Sequence, residues 1–425
     1  MIAANAKVAK VDWKTVKLEE VGRIVTGKTP STKIEEWWNG DVQFVTPGDI
    51  QQDKHIFSTA RYITSEGLSA VKNSVLPKGA ICVSCIGVLG YVGMTTVQCV
   101  SNQQINSIIP YDFVDRDYVY YAIKYIWPTF KLYEGTSSVV SILNKSTFSD
   151  FTIPLPPLPT QRKIAAVLGA LDDKIENNRK ICANLEAQAQ ALFKSWFVDF
   201  EPFGGKMVSD DVWGNHPEAL KYIPVSSLNP ILETGSRPKG GAVSSGVPSI
   251  GAENVKHLGV FDFNAAKFIP IEYAEKLKRG KINGFELLLY KDGGKPGMFK
   301  PHFSMFGDGF PFKDCYINEH VFKIDFGSPE ANIFSYFYFK SHYVYNWLET
   351  NGSKVAIPGI NQSNVLDVMM PDIENVYVKK FGSDILPFFH RIFKTCKESR
   401  SLAELRDALL PKLMSGELDV SEVAV

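Results

Sequence analysis

The chain has 425 residues, with 46 Lys+Arg balanced by 46 Asp+Glu, 45% hydrophobic and 22% charged. This composition excludes disorder throughout, and zero net charge argues against coating nucleic acid or a membrane by bulk positive charge, while leaving room for local basic patches. Six scattered cysteines (Cys82, Cys85, Cys99, Cys182, Cys315, Cys396) lack the dense, even spacing of a secreted disulfide scaffold. No signal-like apolar core opens the chain and no apolar run approaches the roughly 20 residues of a bilayer span, so a cytoplasmic protein without a membrane partner is expected.

The length allows two to four domains, and a long-period repeat reduces this to two halves. The opening Glu20–Pro30, with its core Thr26-Gly27-Lys28-Thr29-Pro30, is echoed by Pro230–Pro238 with Thr234-Gly235-Ser236-Arg237-Pro238, at an offset of 208. Val42–Ile50 aligns with Val247–Val255, and Asn102-Gln103-Gln104-Ile105 with Asn318-Glu319-His320-Val321. Short β-branched and aromatic runs such as Ala80–Ser84 and Phe285–Tyr290, punctuated by Gly and Pro, predict strands. One helix-like aromatic stretch interrupts each half, at Tyr118–Ile126 and Ile333–Lys340.

Each half ends in a long helix. The lead-in Pro154-Leu155-Pro156-Pro157-Leu158-Pro159 is expected to be extended, with helix from Thr160 to about Phe197. Leu168, Leu171, Ile175, Asn178, Cys182, Leu185, Ala189, Leu192 and Trp196 fall on the alternating 3-and-4 spacing of a coiled-coil seam. An offset of 217 carries that seam to Ile385, Phe388, Ile392, Thr395, Ser399, Leu402, Arg406, Leu409 and Leu413. Pro387 predicts a kink or a new start there, hence a shorter or broken second helix, ending near Pro411 and Gly416. The fold class expected is α+β: two pseudo-repeated α/β globules, at 12–156 and 215–372, separated by two long antiparallel coiled-coil helices, at 157–200 and 373–416.

No catalytic constellation emerges. Gly293-Gly294-Lys295-Pro296-Gly297 lacks the spacing and the Ser/Thr of a phosphate-binding loop and reads as a turn. Cys82-x-x-Cys85 has no second Cys/His pair at metal-site spacing and reads as core packing, so no metal site is expected. Seven dispersed histidines form no recognisable acid–base motif. The chain reads as a binder.

Three motifs carry a resemblance: Leu18–Val21 leading to Thr26-Gly27-Lys28-Thr29-Pro30-Ser31, Pro154-Leu155-Pro156-Pro157-Leu158-Pro159-Thr160-Gln161-Arg162-Lys163-Ile164-Ala165, and Leu405-Arg406-Asp407-Ala408-Leu409-Leu410-Pro411-Lys412-Leu413-Met414-Ser415-Gly416. With them the chain resembles, over essentially its full length, the specificity (S) subunit of a bacterial type I restriction-modification system. The second lead-in departs from this pattern, being reduced to Met370-Pro371-Asp372-Ile373. The resemblance implies two target recognition domains, each reading half of a bipartite double-stranded DNA target, with the helical arm setting the spacer. It also implies two methyltransferase (M) subunits bringing S-adenosylmethionine for adenine N6 methylation, and ATP- and Mg-dependent restriction (R) subunits. The chain itself would then be non-catalytic within a deoxyribonuclease and methyltransferase complex. Two similar but non-identical globules suit an asymmetric target, and one DNA turn of about 34 Å is a span such an arm matches.

Phosphate contacts set register and base-edge contacts give specificity, so cations and hydroxyls in Gly-rich loops are the candidates. These are Lys28, Thr29, Ser31 and Thr32 with their counterparts Ser236, Arg237 and Lys239, and Thr136, Ser137 and Ser138 with Ser353 and Lys354. The alternative for each is a plain surface turn. Residues 276–300 hold Lys276, Lys278, Arg279, Lys281, Lys291, Lys295 and Lys300 against Glu286 and Asp292, a net of +5 that reads as a phosphate track or a solvated charged face. Leu192, Phe193, Trp196 and Phe197 are either an exposed partner surface or simple helix–helix packing. Two rival readings remain open: a self-sufficient DNA-modifying enzyme and a coiled-coil adaptor that binds no DNA.

Overall fold

Runs of β-branched and apolar residues too short for a helix and apolar on both faces form central strands. Ile81–Ser84 is buried at every position, and in the computed structural model, which describes residues 13–50, 53–130, 142–210, 214–295, 298–353 and 358–424, it lies at the middle of a five-stranded sheet. The order of that sheet is Gly22–Thr26, Ile105–Pro110, Ile81–Ser84, Val92–Thr95, His55–Ile56. A four-stranded sheet, ordered Arg61–Ile63, Trp38–Val45, Cys99–Ser101, Val75–Leu76, accompanies it. Both belong to unit 1, which comprises Met1–Asn177 and Ser401–Val425. Helix Arg116–Phe130 buries Tyr118, Tyr121, Ile123 and Phe130 in this unit's core.

Unit 2, Asn178–Arg400, repeats the plan. Leu287–Tyr290 is one of two inner strands of a sheet ordered Ile231–Thr234, Val321–Asp325, Leu287–Tyr290, Phe303–Met305. The second sheet is Lys267–Ile269, Val247–Ile250, Tyr316–Ile317. The repeat reaches strand direction: Trp38–Val45 pairs antiparallel with Arg61–Ile63 and parallel with Cys99–Ser101, as Val247–Ile250 pairs antiparallel with Lys267–Ile269 and parallel with Tyr316–Ile317. The segments Asn144-Lys145-Ser146 and Asn361-Gln362-Ser363, 217 residues apart, are also alike: Asn144 and Asn361 each cap a short helix, accepting from Thr147 N at 2.9 Å and Asn364 N at 3.0 Å. Such side-chain acceptors satisfy backbone donors that a helix start leaves unpaired.

The first long helix runs Leu158–Phe197, two residues earlier than expected, because Pro159 falls in the first turn, where a missing N–H costs nothing. The extended part of the lead-in is the strand Thr152–Leu155, paired with Lys14–Lys17. The second long helix corrects the expectation of a shorter or broken element: Val376–Met414 is continuous through 39 residues. Pro387 and Pro411 are both exposed, as are Ser383 and Asp407 one turn before them, so water takes over the carbonyls these prolines cannot satisfy. The helices form no domain of their own by contact; each contributes one portion to unit 1 and the other to unit 2. In unit 2, Asn178 Nδ2 donates to Ser399 Oγ at 3.2 Å, and Cys182 lies against the Ile392 carbonyl, so the two helices run antiparallel there.

Polar residues also lie in and beside the seam of unit 1. Asp172, 4% exposed, accepts from Tyr121 OH at 2.7 Å and from Arg406 Nη1 at 2.6 Å. Lys54, also buried, is paired with Asp117 at 2.5 Å, and Lys124 is half-buried nearby. Burial, reinforced by Arg406, pushes the Lys124 ammonium down to about 8. Removing one partner of a buried pair strands the other charge, so Arg406→Ala is expected to cost about 3–5 kcal/mol in denaturant unfolding, with D172N/R406M recovering most of it. Because Lys124 binds its proton less tightly folded than unfolded, it destabilises below about pH 8 and is relieved as pH climbs toward its ordinary value of 10.5. Lys124→Met is therefore expected to raise the melting temperature at pH 7, with the gain fading by pH 10.

Candidate nucleic-acid interface

The Thr-Gly-x-x-Pro loops leave the ends of edge strands, and what fixes them is backbone meeting backbone. In unit 1, Gly27 N donates to Ile105 O at 3.0 Å and Lys28 N to Ser101 O at 2.8 Å. The facing turn is set by Asn102, whose N–H reaches Val45 O at 2.9 Å and whose Oδ1 accepts from Gln104 N at 3.1 Å. A Cβ on Gly27 would stand 2.0 Å from Asn102 O. In unit 2, Gly235 N donates to Asn318 O at 3.2 Å, Asn318 N reaches Ile250 O at 2.9 Å, and Asn318 Oδ1 accepts from His320 N at 2.9 Å. A Cβ on Gly235 would stand 1.7 Å from Ile317 O. Both glycines are required by close approach rather than by an unusual φ.

On this frame the two units carry different side chains. Lys28, Ser31 and Thr32 are exposed, and Thr29 Oγ1 donates to Gln103 Oε1 at 2.6 Å. Ser31 O accepts from Trp38 Nε1 at 3.2 Å, and the Trp38 ring carries the Arg61 guanidinium at 3.8 Å. In unit 2, Ser236 Oγ accepts from Tyr273 OH at 2.9 Å, Lys239 is exposed, and Arg237 Nε meets Glu319 Oε1 at 3.0 Å. His320 sits between Asp292 at 3.0 Å and Glu319 at 3.3 Å. The sequence reading missed Gln103, Glu319 and His320 as site residues, although the Asn-led match between the halves pointed at these positions.

The structure brings part of the basic segment to this loop. Exposed Lys276, Lys278 and Arg279 lead into Gly280, whose N–H donates to Glu233 Oε2 at 2.8 Å and whose Cβ, if present, would lie 3.1 Å from Gly235 Cα. Burial would raise the Glu233 carboxyl, but the Gly280 N–H and Lys323 ammonium outweigh it and hold the group below its ordinary range. The +5 track is corrected: Lys281 is paired with Asp314 at 2.9 Å, and Lys291, largely buried, with Asp292 at 2.5 Å. Lys276, Lys278 and Arg279 form an exposed cluster beside the loop, and Lys300 is exposed further along the segment.

The remaining candidates fare differently. Ser353 is half-buried and its Oγ accepts from Phe299 N at 2.9 Å, a structural role; Lys354, Thr136, Ser137 and Ser138 lie outside the described residues. The partner surface expected at Leu192, Phe193, Trp196 and Phe197 is also corrected. Phe193 and Phe197 are 2% and 7% exposed in unit 2's core, against Phe334 and Phe381, and Leu192 and Trp196 pack half-buried on the same core. Aromatic rings at seam positions are consumed by the globule that the helix crosses. Cys82 and Cys85 are buried in unit 1, and burial pushes their thiols up to about 12 and about 11, so neither offers a thiolate. His55, Asp173 and Glu176 hold one donor atom each within 4.8 Å of one another, but Glu176 is taken up by His55, whose backbone N–H and Nδ1 both reach it at 3.0 Å.

Comparison with known proteins gives this geometry a context. Residues 10–187 match the family model described as the type I restriction modification DNA specificity domain. The type I restriction enzyme MjaIX specificity subunit of Methanocaldococcus jannaschii is 31% identical over 429 residues, covering 97% of this chain and 95% of that protein. The type I restriction enzyme HindI specificity subunit of Haemophilus influenzae is 33% identical over 174 residues, 39% of this chain and 38% of its own length. Among solved structures, the S subunit of a type I restriction-modification system from M. genitalium shares the fold at a TM-score of 0.52 and 14% identity, covering 97% of this chain and 98% of that one.

The glycine contacts are directly testable. Gly235→Ala and Gly27→Ala each force a methyl group into a carbonyl oxygen, and each is expected to cost about 1–3 kcal/mol by overpacking, read as a lowered denaturation midpoint.

Proposed function

The chain belongs to the family of type I restriction-modification specificity subunits, and on that premise we propose that it recognises an asymmetric, bipartite double-stranded DNA target and directs partner subunits to it. Each unit reads one half-site, and the long helices set the unread spacer. The observation that carries this reading is that two units share one backbone frame at the Gly27 and Gly235 loops while presenting different exposed side chains on it. Equal frames dock in the same way, and unequal tips read different bases.

The chemistry of modification and cleavage belongs, in this reading, to other subunits. Two methyltransferase subunits bring S-adenosylmethionine for adenine N6 methylation, and restriction subunits use ATP and Mg to cut, while this chain contributes no catalytic residue. The complex works in the cytoplasm; no helix among the described residues is long and apolar enough to cross a membrane. Lys28 and the exposed cluster Lys276, Lys278 and Arg279 serve as phosphate contacts.

Two measurements test this. Sequencing the methylated sites in cells that carry the chain with its methyltransferase partner is expected to return two different half-sites around a fixed spacer; a single undivided target would overturn the two-reader reading. In gel-shift titrations of the assembled methyltransferase, K276A/K278A is expected to weaken binding evenly across sequences. It should also reduce the slope of log affinity against log salt by about 2, one for each phosphate-neutralising ammonium removed.

A further inference from the structure

The two loops are cross-linked to their facing turns at the same position in each repeat. Thr29 and Arg237 both stand two residues after the loop glycine, and Gln103 and Glu319 both stand one residue after the turn asparagine. In unit 1 the link is a hydroxyl on a carboxamide, at 2.6 Å. In unit 2 it is a guanidinium on a carboxylate, at 3.0 Å. Around these pairs the close approach of the glycine to the turn, the Asn side chain accepting from the residue two ahead, and the Asn N–H bonded to the neighbouring strand are repeated, although Gly27 N donates to Ile105 O and Gly235 N to Asn318 O. The second turn residue is engaged by its own neighbours in both units, Gln104 with Asn102 at 2.8 Å, and His320 with Asp292 at 3.0 Å and with Glu319 at 3.3 Å. The pair is therefore where the chemistry changes on a constant frame, and it stays accessible, with Arg237 46% and Glu319 36% exposed.

Resting on the proposed function, we infer that the Thr29–Gln103 and Arg237–Glu319 pairs are specificity-determining contacts for their respective half-sites, with Arg237 reading a guanine edge in the half-site of unit 2. Glu319 holds Nε and so orients the guanidinium before DNA arrives, leaving the terminal nitrogens to form the fork that suits guanine O6 and N7. A carboxamide fixed by a hydroxyl offers one donor and one acceptor instead, so unit 1 cannot make the same reading.

The test transplants one pair onto the other frame in the full chain, assembled with its methyltransferase partner, and sequences the methylated sites. R237T/E319Q is expected to relax one G·C position in a single half-site, with discrimination there falling roughly tenfold or more, while the other half-site and the spacer are unchanged. R237K keeps the charge but not the fork and should relax the same position. An unchanged target in both variants overturns the inference, and so does an even loss of affinity at every sequence, which would make Arg237 a phosphate contact. Loss of all modification in both variants, with melting unchanged, also counts against it, because one base contact cannot carry the whole affinity. Failure of the wild-type chain to give a divided target would instead sink the proposed function and leave the pair's role in this frame a matter of loop stability.

Discussion

Each unit depends on a place where two backbones touch with no side chain between them. Gly27 and Gly235 let the end of an edge strand lie directly on the turn led by Asn102 or Asn318, and the asparagine closes that turn on itself while tying it to the neighbouring strand. A contact of this kind tolerates no variation at the glycine and little at the asparagine. It involves only backbone at the glycine, and the side chains at the tip differ between the units, Thr29 on Gln103 in one and Arg237 on Glu319 in the other. A rigid base with a free tip is what a reader needs if one fold is to serve many targets, since binding geometry and base preference then vary independently.

The same separation explains what could be read from the sequence. The repeat was visible because frame residues are fixed by backbone geometry: the Asn-led turns and the caps at Asn144 and Asn361 reappear as matched hydrogen bonds, and the Thr-Gly-x-x-Pro loops as the same close approach of a glycine to the facing turn. The tip pairs were not visible, because Thr29 and Gln103 are 74 residues apart and nothing in their types announces a contact. The helical seam was visible as spacing, and every seam position of the first helix is buried or half-buried. Its polar members were less so. Arg406 stood in the pattern as a tolerated residue, yet it answers Asp172, which lies beside the seam and is satisfied by both Arg406 and Tyr121.

Two misreadings share one cause, which is that linear patterns do not say which side of a helix faces water. Pro387 signals a break only where its orphaned carbonyl would be buried; on the exposed face water satisfies it, and the helix continues. Phe193 and Phe197 look like a sticky surface only if nothing covers them. Unit 2 folds its own aromatic core, including Phe334, Phe337 and Phe381, around that part of the helix. Phe193 and Phe197, buried in that core, are accordingly not free to form a partner surface.

Charge follows the same economy. Residues 1–155 carry 15 basic and 14 acidic groups and residues 220–372 carry 16 and 15, so neither globule is a basic domain. The structure shows where the balance is struck: Lys281 against Asp314, Lys291 against Asp292, Arg237 against Glu319, and buried Lys323 against Glu233. A cation paired with a carboxylate exerts little pull on phosphate at a distance, because the pair's net charge is zero, yet its hydrogen-bonding geometry is intact and better defined than that of a free side chain. Pairing of this kind weakens attraction to DNA of any sequence more than it weakens a directed contact to one base edge. A neutral reader of this kind favours directed contacts over general attraction.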